Sequence, residues 1–467
     1  MQIPILNGIY TNEESDFRVQ YPKNMIPVPV QQGISNGYLR PGDGIVEFGD
    51  TPSGIDRGGI NWNSTLYRVV GNDLIRVGAL GNITVLGTIS GTDLVTFDYS
   101  FDYLSITADG NLYLYDGVTL QQVTDPDLGP ALDHIWVDGY FMTTDGANLV
   151  VTELNDPFSV LPTKYGSSEV DPDPVKALLK FRNEPYALNR HTIEVFDSIG
   201  GNGFPFTRID GAQIERGTIG TQTCCVYLDG VAFLGSGRNE ALAIWLASGG
   251  VSVKLSTREI DQVIAQYDEP TLSTIKVESR LDKSHRFLYV HLPNETLVYD
   301  GSASQIVEEP VWFILTSELQ GHGRYRAQNL IWCYNKWWVG DPLSARLGYL
   351  TSETAEHWGQ VISWELSTLI LYNDGFGAQI HELELVCLTG RAAFGVESTI
   401  YTRYSLDGET WSMPRGIKAG KQGQRNRRLV WLNQASMDHW RIQQFYGTSD
   451  AMISAARLEA RIEPLAV

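Results

Sequence analysis

Short apolar stretches separated by tight-turn residues recur along most of this chain. The segment 214–301 shows the pattern most densely. Residues 226–234 form an apolar run broken by Asp229-Gly230, a dipeptide that favours a hairpin turn. Residues 251–255 alternate apolar and polar side chains, as a half-buried strand does. These periods predict antiparallel β-structure.

One short helix is predicted within the same segment. Ser256 and Glu259 form the S-x-x-E pattern of a capping box, in which the two side chains satisfy free N–H groups of the first helical turn. Ile260, Val263 and Ile264 follow at helical spacing. The pattern therefore predicts a helix that begins just after Ser256.

Hairpins of two roughly five-residue strands recur between residues 56 and 350, at intervals of roughly 35 to 60 residues. Examples lie at residues 64–78, 102–117, 134–154, 176–198 and 330–350. Such spacing is typical of a β-propeller, in which each blade is a small antiparallel sheet around a central channel. A pair of β-sandwiches is the alternative, because it also produces short strands at similar spacing. We predict an irregular β-propeller.

The two ends of the chain differ from this central region. Prolines at positions 22, 27 and 29 impose an extended backbone near the start. Alternating segments at 381–390 and 398–412 indicate further strands near the end. The predicted all-β organisation is an extended N-terminal arm with an edge strand at 1–55, a β-propeller-like domain at 56–350 and a β-sandwich domain at 351–467.

Composition agrees with a large β-rich protein and limits its partners. The 467 residues are 43% hydrophobic and carry a net charge of −20, which argues against broad binding to nucleic acid through phosphate neutralisation. No apolar run reaches the length of about 18 residues that a membrane span needs, and the N-terminus lacks signal-peptide features. Four cysteines without a C-x-x-C pair predict reduced, buried thiols.

The segment 414–428 inverts the charge of the chain, because it carries several cations and no acid. The cations are Arg415, Lys418, Lys421, Arg425, Arg427 and Arg428. Interspersed glycines predict a flexible loop. These side chains are candidates for contact with DNA phosphates or an acidic partner surface, and pairing with nearby carboxylates is the structural alternative. Stacking on single-stranded nucleic acid is not indicated, since no aromatic residue interleaves with them.

The sequence shows no catalytic or metal-binding motif, so no enzyme activity, cofactor or metal is predicted. The histidines lack H-E-x-x-H spacing, and Ser236 lacks the G-x-S-x-G pattern of a nucleophile. Residues 405–411 resemble the Asp-box of sialidase-type propellers with one residue fewer, and that motif is a structural hairpin tip. Paired carboxylates for glycoside hydrolysis stay open, because their pairing is spatial.

Several short motifs follow one another along nearly the whole chain. They are P-K-N-M at 22–25, G-Y-L-R at 37–40, T-I-E-V-F at 192–196, R-G-T-I-G at 216–220, H-L-P at 291–293 and L-V-Y-D at 297–300. In this order they resemble the packaged-DNA stabilisation proteins, or tail hubs, of short-tailed Salmonella-type bacteriophages (podoviruses).

The resemblance implies a structural virion protein of the phage tail, assembled in the host cytoplasm, and not an enzyme. It implies a homo-oligomeric ring of six copies below the portal and its adaptor ring. Such a ring closes the head after packaging and offers surfaces to the tail needle and tailspikes. Packaged double-stranded DNA would occupy the channel without sequence readout. An acidic chain agrees with a channel that retains DNA yet lets it pass.

Two other classes stay open on the sequence. A glycan-binding or glycan-cleaving propeller predicts a cleft with clustered carboxylates and exposed tryptophans on one propeller face. A receptor-binding tail protein predicts trimeric fibre repeats, which this sequence lacks. A hub predicts a large self-association surface instead of a cleft.

Overall fold

A computed structural model gives the fold of the chain. It describes residues 2–3, 21–30, 37–201, 203–368, 371–372 and 376–465. Residues 4–20 and 31–36 of the predicted N-terminal arm lie outside the described residues. No helix among the described residues is long and apolar enough to cross a membrane.

Seven antiparallel sheets, which we number blades 1 to 7 in chain order, form the central part of the structure. The strands of blades 1 to 4 are Asp56–Trp62, Thr65–Val70, Asp73–Val77 and Ile83–Thr88; Thr96–Tyr99, Leu104–Ala108, Asn111–Tyr115 and Leu120–Gln122; Asp133–Val137, Tyr140–Thr144, Asn148–Val151 and Tyr165–Ser167; Val175–Phe181, Glu184–Asn189, Ile193–Ser198 and Phe206–Arg208. The strands of blades 5 to 7 are Gly217–Thr218, Cys224–Tyr227, Gly230–Ser236, Ala243–Ser248 and Val251–Lys254; Lys276–Asp282, His285–His291, Thr296–Asp300 and Trp312–Leu315; Gln328–Cys333, Lys336–Gly340, Leu347–Thr351 and Gly44–Glu47.

The blades close into a ring around their innermost strands. The innermost strand of each blade contacts that of the next, and that of blade 7 contacts that of blade 1. Gly44–Glu47 precedes blade 1 in sequence but pairs with Leu347–Thr351 as the fourth strand of blade 7. The N-terminal part of the chain therefore fastens the ring. This arrangement confirms the predicted β-propeller.

The hairpin predicted at Asp229-Gly230 forms, but its turn lies one residue earlier. Tyr227 pairs with Gly230, so the two turn residues are Leu228 and Asp229, and Leu228 has a φ of 51°. Gly230 belongs to the following strand. A Cβ atom there would stand 2.2 Å from the carbonyl oxygen of Ala247. Close approach of the neighbouring strand, and not the turn, therefore requires this glycine.

The predicted helix forms over Arg258–Ile264 and buries Ile260 and Ile264, but its capping box is absent. Its N-cap is Thr257, which makes no side-chain cap hydrogen bond. The Ser256 hydroxyl donates to Asp261 at 2.6 Å and accepts from an N–H group of blade 5. Neighbouring groups therefore occupy the side chain that the pattern assigned to capping. Two more short helices span Glu269–Leu272 and Gly301–Val307.

Two further sheets pack as a β-sandwich, which confirms the predicted C-terminal domain. The first contains Met25–Pro29, Gly37–Pro41, Ala451–Pro464, Ala378–Ala392 and Leu429–Leu432 in that order, with Gln2–Ile3 and Ser436–Met437 at its margins. The second contains Ser363–Ser367, Trp440–Thr448, Thr399–Ser405 and Arg415–Lys418, with Leu371–Tyr372 beside Trp440–Thr448. Since N-terminal strands enter both the sandwich and blade 7, the boundaries at 55 and 350 stay a prediction.

Lys23 joins the propeller to the sandwich through its backbone. It exchanges two hydrogen bonds with Glu365 of the sandwich, at 2.9 and 3.0 Å. The peptide groups on either side of it pair with Ile314 of blade 6, where Ile314 donates to Pro22 and Asn24 donates to Ile314 at 2.9 and 2.8 Å. One extended stretch thus lies between two sheets and hydrogen-bonds to both. We call residues 22–24 the crossing segment.

The side chain of Asn24 repeats this connection. Its Nδ2 donates to the Ser363 carbonyl at 2.7 Å, and its Oδ1 accepts from the Thr316 N–H at 3.0 Å. The residue has a φ of 53°, in the left-handed region that asparagine tolerates better than most residues. A buried amide therefore fixes the sandwich relative to blade 6.

We predict that Asn24→Ala lowers the free energy of unfolding by about 3 kcal/mol, because buried backbone groups lose their partners and the left-handed backbone becomes strained. Denaturant unfolding followed by near-ultraviolet circular dichroism measures the loss. Asn24→Gly is the matched control: it removes the same bonds but relieves the backbone, so its loss should be smaller. Equal stability of wild type and Asn24→Ala would contradict the role of this side chain.

Candidate interaction surfaces

Carboxylates near the centre of the propeller, of which Asp133 and Glu278 are buried and Asp98 is half-buried, connect neighbouring blades. Each of three accepts backbone N–H groups from the first strand of the next blade. The bonds join Asp98 to Trp136, Asp133 to Leu178, and Glu278 to Asn329 and Leu330, over 2.6 to 3.1 Å. A glycan-cleaving propeller would need carboxylates free to reach substrate. These three instead hold the ring of blades together.

The central tunnel of the propeller is bridged by Gln222. Its Nε2 donates to the Thr96 hydroxyl of blade 2 at 2.9 Å, and its carbonyl accepts from the Val277 N–H of blade 6 at 2.8 Å. Gln222 itself precedes the innermost strand of blade 5, and blades 2 and 5 are not neighbours in the ring. The bond therefore crosses the tunnel, which excludes the passage of duplex DNA through a single propeller.

Two titratable groups beside this tunnel are shielded from solvent. Burial raises the pKa of Asp133 to about 7, against the opposing effect of the Leu178 N–H bond. Burial also lowers the pKa of His134 to about 3. The His134 ring contacts the hydroxyl groups of Ser105, at 2.7 Å, and Thr107. Because both groups are enclosed by protein, their altered pKa values concern stability and not chemistry on a substrate.

Three of the six predicted contact cations are engaged by neighbouring groups. Two donate to backbone carbonyls, and the third forms an ion pair across the sheet. The contacts join Arg415 Nη1 to the Asn433 carbonyl (2.6 Å), Lys418 Nζ to the Glu397 carbonyl (3.2 Å), and Arg428 Nε to Glu384 Oε1 (2.8 Å). Hydrogen bonding to Arg428 lowers the pKa of Glu384.

The other three, Lys421, Arg425 and Arg427, are exposed and make no side-chain hydrogen bond or ion pair with the residues that the structure describes. Their loop is nevertheless held in place. The Gly423 N–H donates to the Gly390 carbonyl at 3.0 Å, and the Thr389 hydroxyl donates to the Gln424 carbonyl at 2.8 Å. The loop therefore presents three uncompensated cations from a fixed position.

The Asp-box-like hairpin at 405–411 is a turn-stabilising structure. Asp407 accepts two N–H groups of the turn at 2.8 and 2.7 Å, and the Ser405 hydroxyl accepts the Gly408 N–H at 2.8 Å. Asp116 and Asp145 accept pairs of turn N–H groups in the propeller in the same way. The recurring aspartate thus stabilises hairpin tips throughout the chain.

Two clefts adjoin the boundary between the domains. One of about 560 Å³ is mainly apolar and includes Arg40 and Arg391. The other, of about 610 Å³, is lined by Lys23, Glu295 and His322 among others. His322 lies 2.9 Å from Glu295, and that hydrogen bond raises the pKa of His322. No group of three or more histidine, cysteine, aspartate or glutamate side chains suited to a metal ion occurs among the described residues.

The sequence pattern alone does not single out the inter-blade carboxylates or the crossing segment. The available signal for the former is a charged residue inside an apolar strand, as at Asp133 and Glu278, since charged side chains are rarely buried without a partner. For the crossing segment, the only signal in the sequence is the asparagine of the P-K-N-M motif, because asparagine tolerates a left-handed backbone.

Comparison with known proteins matches both domains. The family described as bacteriophage P22 Gp10, beta-propeller, matches residues 1–355, and the family described as bacteriophage P22 Gp10, beta-sandwich, matches residues 363–463. A curated relative, tail hub protein gp10 of Salmonella phage P22, is 24% identical over 453 residues, which cover 92% of each chain.

Solved structures show weaker likenesses. PorZ, a bacterial surface component of the type-IX secretion system of Porphyromonas gingivalis, is 13% identical, with a TM-score of 0.39 over 80% of this chain and 46% of that one. The Pan2 WD40 domain of Neurospora crassa is 10% identical, with a TM-score of 0.40 over 64% of this chain and 90% of that one. At these TM-scores the likenesses carry no functional information.

We predict that Asp133→Asn gains stability relative to wild type as pH rises. The folded pKa of about 7 lies above the ordinary value of 3.8, so the contribution of protonated Asp133 is complete below about pH 4 and is lost towards about pH 7. The neutral amide does not titrate. Thermal melting at about pH 5 and about pH 8 measures the change. Asp102→Asn, which replaces an exposed carboxylate, is the control. If the difference in melting temperature between Asp133→Asn and wild type is the same at both pH values, the burial argument is contradicted.

Proposed function

Because the chain belongs to the bacteriophage P22 Gp10 family over both of its domains, we propose that it is the tail hub of a short-tailed phage. Family membership supports a structural role in the tail of the virion. The hub assignment is the finer step, and it comes from the name of the Salmonella phage P22 relative. The proposed protein is a scaffold and not an enzyme.

The observation that carries the proposal is the extent of the match. The propeller and the sandwich match in the same order, and the relative is aligned over 92% of each chain. A hub must present surfaces from its whole body to several neighbours. A match confined to the propeller would support the fold alone, since propellers serve many unrelated functions.

In the proposed assembly, six copies form a ring below the portal and its adaptor ring. The ring closes the filled head and anchors the tail needle and tailspikes. Packaged DNA would occupy the channel between copies, because Gln222 bridges the tunnel inside each propeller. The net charge of −20 disfavours tight phosphate binding, so DNA would be retained without sequence readout and released at ejection.

The geometry of the described residues supports a scaffold. The carboxylates Asp98, Asp133 and Glu278 bond N–H groups of the neighbouring blade, and Asp133 and Glu278 are buried. The crossing segment fixes the sandwich against blade 6. Rigid placement of two domains suits a protein whose task is to hold neighbours at set positions.

Electron cryo-microscopy of the purified protein, mixed with portal and adaptor rings, tests the proposal. We predict a sixfold ring of this protein seated on the adaptor ring. A parallel mixture that contains the portal but lacks the adaptor is the control, and it should leave the portal without the ring. A protein that ignores the adaptor-bearing portal would overturn the hub assignment.

A further inference from the structure

The loop with the three uncompensated cations is adjacent to a segment that carries an exposed aromatic side chain. Phe394 is 92% exposed and follows the strand Ala378–Ala392. Gly390 of that strand bonds the loop, and Lys418 bonds the carbonyl of Glu397 just beyond Phe394. The two segments are therefore adjacent at one end of the sandwich. We call Lys421, Arg425, Arg427 and Phe394 the basic end.

A surface of the opposite charge lies on blade 3. The carboxylates of Asp125, Asp127 and Asp145 act electrostatically on Tyr165, whose hydroxyl donates to the Asp127 carbonyl. Desolvation and these three carboxylates raise the pKa of Tyr165. Glu169 lies two residues after the strand Tyr165–Ser167. It is exposed, and its side chain makes no hydrogen bond or ion pair with the described residues. We call these five residues the acidic edge.

The basic end and the acidic edge lie on opposite sides of one copy. The sandwich joins the propeller at blades 6 and 7, through Lys23 to Ile314 and through Arg391 to the Ser352 carbonyl at 3.1 Å. In a closed ring of seven blades, blade 3 lies opposite blades 6 and 7. The two surfaces therefore cannot pair within one chain. Identical copies that join opposite sides make a head-to-tail contact, which forms a ring when the rotation closes.

We infer that the basic end of one copy docks on the acidic edge of the next copy and thereby builds the ring. This inference rests on the proposed hub function, which requires a ring but does not specify its contact surfaces. Charge complementarity selects a second copy as the partner. Exposed Leu161 and Tyr165 on blade 3 provide apolar surface for Phe394.

Duplex DNA is the less favoured partner for the basic end. DNA affinity rises with the number of phosphates neutralised, and the loop offers three uncompensated cations on a chain of net charge −20. The acidic edge, in contrast, is opposite in charge to the loop, and it would not contribute to DNA binding. One head-to-tail contact accounts for both surfaces.

Two charge reversals and their mixture test the contact. The loop variant carries Arg425→Glu and Arg427→Glu, and the edge variant carries Asp127→Lys and Glu169→Lys. These side chains make no hydrogen bond or ion pair with described residues, whereas Asp125 and Asp145 stabilise turns and are left intact. The control variant carries Arg76→Glu and Arg286→Glu, two exposed cations on other blades. Sedimentation velocity and native mass spectrometry measure assembly at low salt. If the wild-type protein does not form a ring alone, adaptor-bearing portal is added to every sample.

We expect wild type and control to form the ring and each reversed variant to lose it. An equal mixture of the two variants should restore the ring with alternating copies, because each native surface and each reversed surface then meets its complement. Restoration also shows that both variants fold.

A ring that persists in the loop variant would overturn this contact while leaving the hub assignment intact. Failure of wild type to assemble even on the adaptor-bearing portal would overturn the hub assignment itself. Binding of a short DNA duplex that the loop variant loses, with its ring intact, would assign the basic end to DNA and overturn the inference.

Discussion

The hydrogen bonds of the crossing segment are the constraint on which the arrangement of the two domains depends. Lys23 pairs with Glu365 on one side, and its neighbours pair with Ile314 on the other. Buried backbone groups must find partners, so moving the sandwich away from blade 6 would leave both sheets with unsatisfied N–H and C=O groups. Asn24 adds two side-chain bonds across the same boundary. The chain thus behaves as one body built from two domains.

The same N-terminal part of the chain also closes the propeller. Gly44–Glu47 completes blade 7 a few residues after Gly37–Pro41 has paired within the sandwich. Carboxylates such as Asp98 and Asp133 then tie neighbouring blades together at the centre. These non-local bonds fix the distance between the basic end and the acidic edge. A head-to-tail ring requires that distance to be the same in every copy.

Local features of the sequence predict the hairpins, the helix at Arg258–Ile264 and the two types of domain, because turn dipeptides and side-chain periods act within a few residues. The details fail where a non-local neighbour intervenes. The Ser256 side chain bonds Asp261 and blade 5 and does not cap the helix. Glycine is required at position 230 because a neighbouring strand lies against it. Strand Gly44–Glu47 pairs with a segment about 300 residues away, and no local pattern indicates such a partner.

The basic loop shows the same difference between what local sequence predicts and what the fold decides. Composition locates the cations of 414–428, but Arg428 is neutralised by Glu384, which a distant strand supplies. Only the folded chain separates the engaged cations from Lys421, Arg425 and Arg427. It also places Asp127 and Glu169 beside blade 3, three blades round the ring from blades 6 and 7, which the sandwich contacts.

Hydrogen exchange of the intact protein, measured by mass spectrometry, tests most directly whether the two domains form one body. The account predicts strong and equal protection of peptides that cover the crossing segment, Trp312–Leu315 and Ser363–Ser367, because these backbone groups must open together. Fast exchange of the crossing segment, with the two strands still protected, would show that the sandwich separates from the propeller and would contradict the account.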